Sequence, residues 1–194
     1  MFLSRRRLAS FIAPTLALPL FAAGCASPEP VLYTIPMKPG PVQAGGPRIV
    51  QLRDISLASY LDRKEIVRSS EGYKLGVTSN SWWGEPLGTM LGRVIVIGLS
   101  ERLPGSSIYA EGGAISVDPN AIVAINVQQL DLDQGGQLQL LAQASVEFNR
   151  PNRSVARTFR ITKPVRSPDT AGQVAAISDA VAELTDGLAA MLQP

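Results

Sequence analysis

The chain has no histidine and a single cysteine, Cys25, in 194 residues. The missing histidine, with no thiol left once Cys25 is acylated as read below, removes the imidazole base of serine hydrolases, the cysteine–histidine pair, and nearly every zinc, copper or haem site. Phosphate cradles are missing too. No GxxxxGK[ST] run occurs, and Gly45-Gly46 and Gly112-Gly113 lack the strand-to-helix setting of a nucleotide loop. Aromatic residues make up only 6% of the chain, without the surplus that would line a lipid groove. What could still support an enzyme is a pair of carboxylates, Asp131 and Asp133, with Trp82-Trp83 stacking on a sugar ring. Asp131-Leu132-Asp133-Gln134-Gly135-Gly136, however, has the composition of a hairpin turn, with Asp and Gly supplying the tight backbone. No catalytic residue, cofactor or metal is expected.

The amino terminus states a compartment. Arg5-Arg6-Arg7 precedes an apolar run from Leu8 to Ala23, too short and too interrupted by Pro14 and Pro19 for a spanning helix. Ala22-Ala23-Gly24 before Cys25 reads as a bacterial lipoprotein signal over residues 1–24, with Cys25 the residue that takes the lipid. Acyl chains add about 0.8 kcal/mol per buried methylene, so several chains make the attachment effectively permanent. Ala26 and Ser27, with no Asp beside the cysteine, favour the outer membrane. The signal holds three of the 18 basic residues and none of the 16 acidic ones, so its removal leaves 15 against 16, a net charge of −1. That balance lacks the clustered basic face that nucleic-acid binding requires. Arg150, Arg153, Arg157, Arg160, Lys163 and Arg166 do cluster in sequence; a solvated strand and turn is the favoured reading, and a face toward anionic lipid headgroups the alternative.

Residues 25–47 read as the lipidated cysteine and a Pro- and Gly-rich tether holding one extended element, Val31 to Ile35; residues 48–194 read as one globular domain. Within it, Ile49–Leu57 is a strand bulged at Arg53-Asp54, Tyr60–Arg63 a turn, and Glu65–Arg68 with Tyr73, Leu75 and Val77 a hairpin. A first helix opens across Asn80–Pro86, buries Leu87, Met90, Leu91, Val94, Ile97 and Leu99, and stops at Pro104-Gly105. Gly88 and Gly92, one turn apart, would let it approach a neighbour closely. After a short strand at Ser107–Ala110, Ala121–Leu132, Gln137–Phe148 and Ser154–Thr162 form an antiparallel meander. A last helix from Pro168-Asp169 carries Val174, Ile177, Val181, Leu184, Leu188 and Met191 at alternating spacings of three and four. The predicted class is α+β, an antiparallel-rich sheet with two main helices on one face.

Leu32-Tyr33-Thr34, then Tyr60-Leu61-Asp62-Arg63 leading into Ile66-Val67, then Trp83-Gly84-Glu85-Pro86-Leu87, occur in that order after an anchoring cysteine. This series resembles the ABC-type transport auxiliary lipoproteins, the PqiC-like group. The resemblance implies a noncatalytic periplasmic subunit that works with a mammalian-cell-entry-domain protein and an inner-membrane ABC permease and ATPase to move lipids across the envelope. It also makes Tyr60, Leu61, Asp62, Arg63, Trp82 and Trp83 the candidate partner interface. A homo-oligomer through the Ala-rich last helix, and a stand-alone lipid-binding lipoprotein, are the alternatives carried forward.

Overall fold

The computed structural model describes residues 29–70 and 72–193; the signal segment and Cys25 lie outside them. The elements, in chain order, are β1 (Val31–Tyr33), β2 (Ile49–Leu52), β3 (Ser56–Leu57), β4 (Glu65–Ser69), β5 (Gly76–Trp83), α1 (Leu87–Arg102), β6 (Ser107–Ala110), β7 (Ala121–Leu132), β8 (Leu138–Asn149), β9 (Asn152–Lys163) and α2 (Thr170–Met191). A large sheet runs β6-β2-β7-β8-β9, with β3 taking up β7 where β2 ends; a small one runs β1-β5-β4. The three longest strands pair antiparallel, while β2 lies parallel to both β6 and β7. The class is the α+β arrangement predicted.

Period-two alternation builds the centre of the sheet. On β8, Leu138, Leu140, Ala142, Ala144, Val146 and Phe148 are all buried, and their cross-strand neighbours Val123, Ile125 and Val127 on β7 and Phe159 and Ile161 on β9 share that face. Both helices pack against it, α2 over β8 and β9 and α1 alongside α2 near β6. The stripe from Val174 to Met191 is wholly buried, so its spacing reflects packing on the sheet and supplies no exposed coiled-coil seam. On β7 the register slips between Val127 and Gln129. That bulge returns Leu130 to the helix face and turns Asp131 to the opposite one.

Local geometry departs from expectation in three places. The helix predicted to open at Asn80 begins at Leu87, because Ser81–Trp83 are already paired with Val31–Tyr33 and the Trp83 N–H donates to the Lys64 carbonyl at 2.8 Å. The strand predicted over Ile49–Leu57 is two pieces, since Arg53 N–H donates to Val123 before the chain loops out and rejoins β7 at Ser56. The hairpin's second strand starts at Gly76, leaving Tyr73 and Leu75 outside the ladder. Gly88 and Gly92 act as predicted: a Cβ on Gly88 would sit 3.2 Å from the Ile55 carbonyl, so α1 presses directly on the looped-out segment.

The Pro-rich stretch after β1 lies on the helix pair as a strap. Ile35 is fully buried and its N–H points at the Met90 sulfur, 3.2 Å away. Lys38 pairs with Asp179 of α2, and Gln43 N–H donates to the Arg102 carbonyl at 2.7 Å. Arg102 itself has no exposed surface. Its guanidinium donates to Asp186 (2.5 Å), to the Ala182 carbonyl (3.2 Å), to its own helix at Gly98 (3.0 Å) and to the Lys38 carbonyl of the strap (3.4 Å). One side chain thus joins α1, α2 and the strap, and a Cβ on Gly40 would collide with it.

Candidate functional site

The Tyr60–Arg63 turn follows β3 and is closed by Leu61 N–H donating to the Ala58 carbonyl at 2.8 Å. Leu61 drops into the core, and Tyr60 lies back on the outer face of β7, where its hydroxyl donates to Asp131 Oδ2 at 2.9 Å. Burial beside that carboxylate pushes the Tyr60 phenol up to about 12. With Tyr60 and Leu61 fixed inward, Asp62 and Arg63 are left exposed.

Trp82 and Trp83 separate in the same way because successive strand side chains point to opposite faces. Trp83 belongs to the core; Trp82 is half-buried on the outer face, and the Lys64 ammonium stands 3.9 Å from its ring centroid. Of the six candidate interface residues, Leu61 is therefore framework, and Trp83 is a core residue that shows only an edge. Asp62, Arg63 and the flank of Trp82 face outward, with Tyr60 beneath them.

Two concavities meet at this turn. The larger, about 620 Å³, runs between α1 and the looped-out segment, with Ile55, Leu57, Val96 and Ile97 as an apolar floor and Arg53, Asp54, Asp62, Arg93 and Glu111 as a charged rim. The smaller, about 320 Å³, is formed by Asp62, Arg63, Lys64, Trp83, Glu85 and Pro86. Asp62 and Pro86 belong to both, so the two make one surface. Arg93 Nε donates to Glu85 Oε1 at 3.1 Å, holding the α1 start and the groove wall together. Arg93 and Ile97 were missed in the sequence. Ile97 was assigned to the buried stripe, yet it is 41% exposed on the groove side while Ile95 takes the core position.

The carboxylate pair considered for glycoside chemistry is engaged elsewhere. Asp131 is fully buried and accepts from Tyr60 and from Gln129 Nε2 at 2.9 Å. Asp133 accepts from Gln137 N–H at 2.9 Å and from Gln139 Nε2 at 2.7 Å, which closes the β7–β8 turn and holds its carboxyl below the usual range. Three of the four basic residues of β9 are likewise placed structurally, and Arg160 is exposed. Arg153 stacks on Phe148 and Arg157 on Phe159, and Lys163 pairs with Glu183 at 2.6 Å. Among the described residues no three metal-ligating side chains converge, and no helix is long and apolar enough to cross a membrane.

A family model described as ABC-type transport auxiliary lipoprotein component matches residues 33–189. No curated protein matches the sequence closely enough to count as a relative. Two crystal structures share the fold. One is of an uncharacterized protein, with a TM-score of 0.71 at 15% identity over 84% of this chain and 98% of the other. The second is of a Xanthomonas campestris protein under the family model DUF330, with a TM-score of 0.67 at 20% identity over 82% of this chain and 92% of the other.

Proposed function

Because the chain belongs to the ABC-type transport auxiliary lipoprotein family, we propose that it is the noncatalytic subunit that docks a mammalian-cell-entry-type periplasmic protein to the outer membrane. In this reading Cys25 carries the lipid, and an inner-membrane permease and ATPase complete the system. The observation that carries the proposal is the continuous surface around Asp62, where the smaller concavity opens into the groove beside α1. Its apolar floor offers a partner side chain burial worth roughly 25 cal/mol per Å², while the mixed-sign rim fixes orientation and suppresses wrong partners. Tyr60 and Leu61 beneath the turn hold that surface in one shape, which lowers the ordering cost of association.

The alternative of a stand-alone lipid carrier asks for a site that shields acyl chains from water. The groove instead places five charged side chains around its mouth, which favours a polar protein edge over a hydrocarbon chain.

The test is cross-linking of the tagged, lipidated protein in mild detergent, followed by mass spectrometry of what co-purifies. A mammalian-cell-entry protein linked to residues 60–64 or to the groove wall supports docking. Recovery of the protein alone, or links confined to the far end of the sheet, overturns it. An Asp62→Lys/Arg63→Glu variant is expected to lose most of the partner while keeping its melting temperature, since both side chains are exposed.

A further inference from the structure

Five of the ten large apolar residues left exposed among the described residues lie toward the end of the molecule at which the chain enters. Tyr73 is fully exposed beyond the β4–β5 ladder, and Leu75, Val77, Val31 and Leu32 are each at least 39% exposed. Lys74 stands among them, and in the sequence Glu71 precedes residues 72–77, which include no acidic side chain. The ladder ties this tip to the chain's entry point. Since β1 runs parallel to β5, the chain comes into β1 from the tip side, and the Glu29 carbonyl accepts from Asn80 Nδ2 at 3.2 Å. Val77 lies three residues from Asn80 toward the tip, about 10 Å along the strand. Cys25 lies four residues before Glu29, a span of at most about 14 Å.

We propose that the β4–β5 hairpin tip, through Tyr73, Lys74, Leu75 and Val77, seats in the headgroup layer of the leaflet that holds the Cys25 lipid. This rests on the acylation of Cys25 proposed above. A lipid surface suits the chemistry: a tyrosine with an apolar ring and polar hydroxyl belongs at the membrane–water boundary, aliphatic side chains enter the acyl edge, and a lysine reaches anionic headgroups. The short span from Cys25 keeps the bilayer within reach of the tip whatever partner is bound. One lipid anchor fixes a protein to a membrane but leaves it free to rotate; a second contact sets its orientation. The small sheet contacts the start of α2 through Arg68 and Ser81, and the Asn149–Asn152 turn lies beside the end of α2 near Arg153, so that turn would point away from the leaflet. Asp62, which precedes β4 at the end of the hairpin away from its tip, would stay clear of the headgroups.

The experiment uses the acylated protein in vesicles of phosphatidylethanolamine and phosphatidylglycerol with no other protein present. A Lys74→Cys variant and a Ser107→Cys variant each receive an NBD fluorophore on the new thiol, Ser107 being exposed near the far end. We expect iodide quenching at position 74 about threefold weaker than at 107, with blue-shifted emission. Equal quenching at the two positions overturns the proposal, as does protection at 74 that appears only when a periplasmic partner is added. Adding Tyr73→Ser and Leu75→Ser to Lys74→Cys should restore quenching to the level at 107; persistent protection would also overturn it. The unmutated protein separates the two ideas. If acylated, it takes up no NBD; labelling at Cys25 removes the anchor and this proposal together, whereas an unlabelled parent with equal quenching removes the hairpin contact alone.

Discussion

The β7–β8–β9 meander and the region formed by the strap, the small sheet and the groove flank of α1 are held together by different forces. In the meander, neighbours in sequence are neighbours in space, and one apolar residue in two is enough to specify burial. The other region also buries apolar residues such as Ile35, Ile66 and Trp83, but in it polar side chains join segments far apart in the chain: Arg102 to Asp186, Tyr60 to Asp131, and Gln173 Nε2 to the Val67 carbonyl at 2.7 Å. The candidate docking surface takes its α1 wall from that second region. A core of pure hydrocarbon tolerates many substitutions that keep its volume, whereas a buried charge specifies one partner.

Removing the central polar clamp should break the comparison most visibly. Arg102→Ala is expected to cost about 3 kcal/mol, the low end for a broken buried pair because Asp186 keeps some solvent contact. Urea unfolding measures the loss, and limited proteolysis locates it: residues 34–46 should become cleavable while the meander stays protected. An Arg102→Met/Asp186→Leu double variant should recover much of the stability, since it leaves no orphaned charge. If the single variant matches the parent in both assays, the clamp is dispensable.

Val146→Ala deletes two methyl groups from a fully buried position on β8 and should cost about 2 kcal/mol. The strap should remain as resistant to protease as in the parent. Loss of strap protection here would mean that the two regions unfold as one, and the contrast between them would concern composition alone.

This contrast also governs what could be read in advance. The alternation from Leu138 to Phe148 and the stripe from Val174 to Met191 predicted both elements and their buried faces, because period alone carries that information. Even the β7 bulge left a trace, in the phase change from Val127 to Leu130. Arg102 left none: an arginine in the last turn of an apolar helix reads as a solvated partner of the helix dipole, and its carboxylate lies 84 residues on. The strap was read as tether for the same reason, since proline content says nothing about what lies underneath. In the candidate site, Asp62 and Arg63 are named by the family pattern and are exposed. Arg93 and Ile97 required knowing that residues 53–55 loop out across α1.

Tyr60→Phe sharpens the polar side of the comparison at smaller amplitude. It removes one donor from the buried Asp131 and should cost about 1 to 2 kcal/mol, since Gln129 still holds the other oxygen. Its pH dependence has a definite sign. The phenol ionises near 10 when unfolded and near 12 when folded, so the folded state holds the proton longer. This contribution is complete below pH 10 and is lost as pH rises toward 12. Urea midpoints for the parent should therefore fall more steeply over that window than those for Tyr60→Phe; parallel curves would show that the hydroxyl is not buried against Asp131.

The smallest effects belong to polar groups that bridge nothing distant, one at the start of α2 and one in the meander. Asp169 caps α2 by accepting the Gly172 N–H at 2.7 Å, and Asp133 closes the β7–β8 turn. Both carboxyls sit below their usual range because backbone N–H groups stabilise the charged form. Their contribution is present above the ordinary carboxylate range and disappears as pH falls through the lower folded values. Asp169→Ala and Asp133→Ala should each lower the urea midpoint slightly at pH 7, by similar amounts, and the differences from the parent should vanish in strong acid. Similar losses would mean that a polar side chain matters here through the distance in sequence it spans rather than the region it occupies. If Asp169→Ala instead approached the cost of Arg102→Ala, the α2 start would itself be a long-range joint, through Ser81 on Thr170 and Arg68 on Pro168, and the small sheet would be holding the helix rather than resting on it.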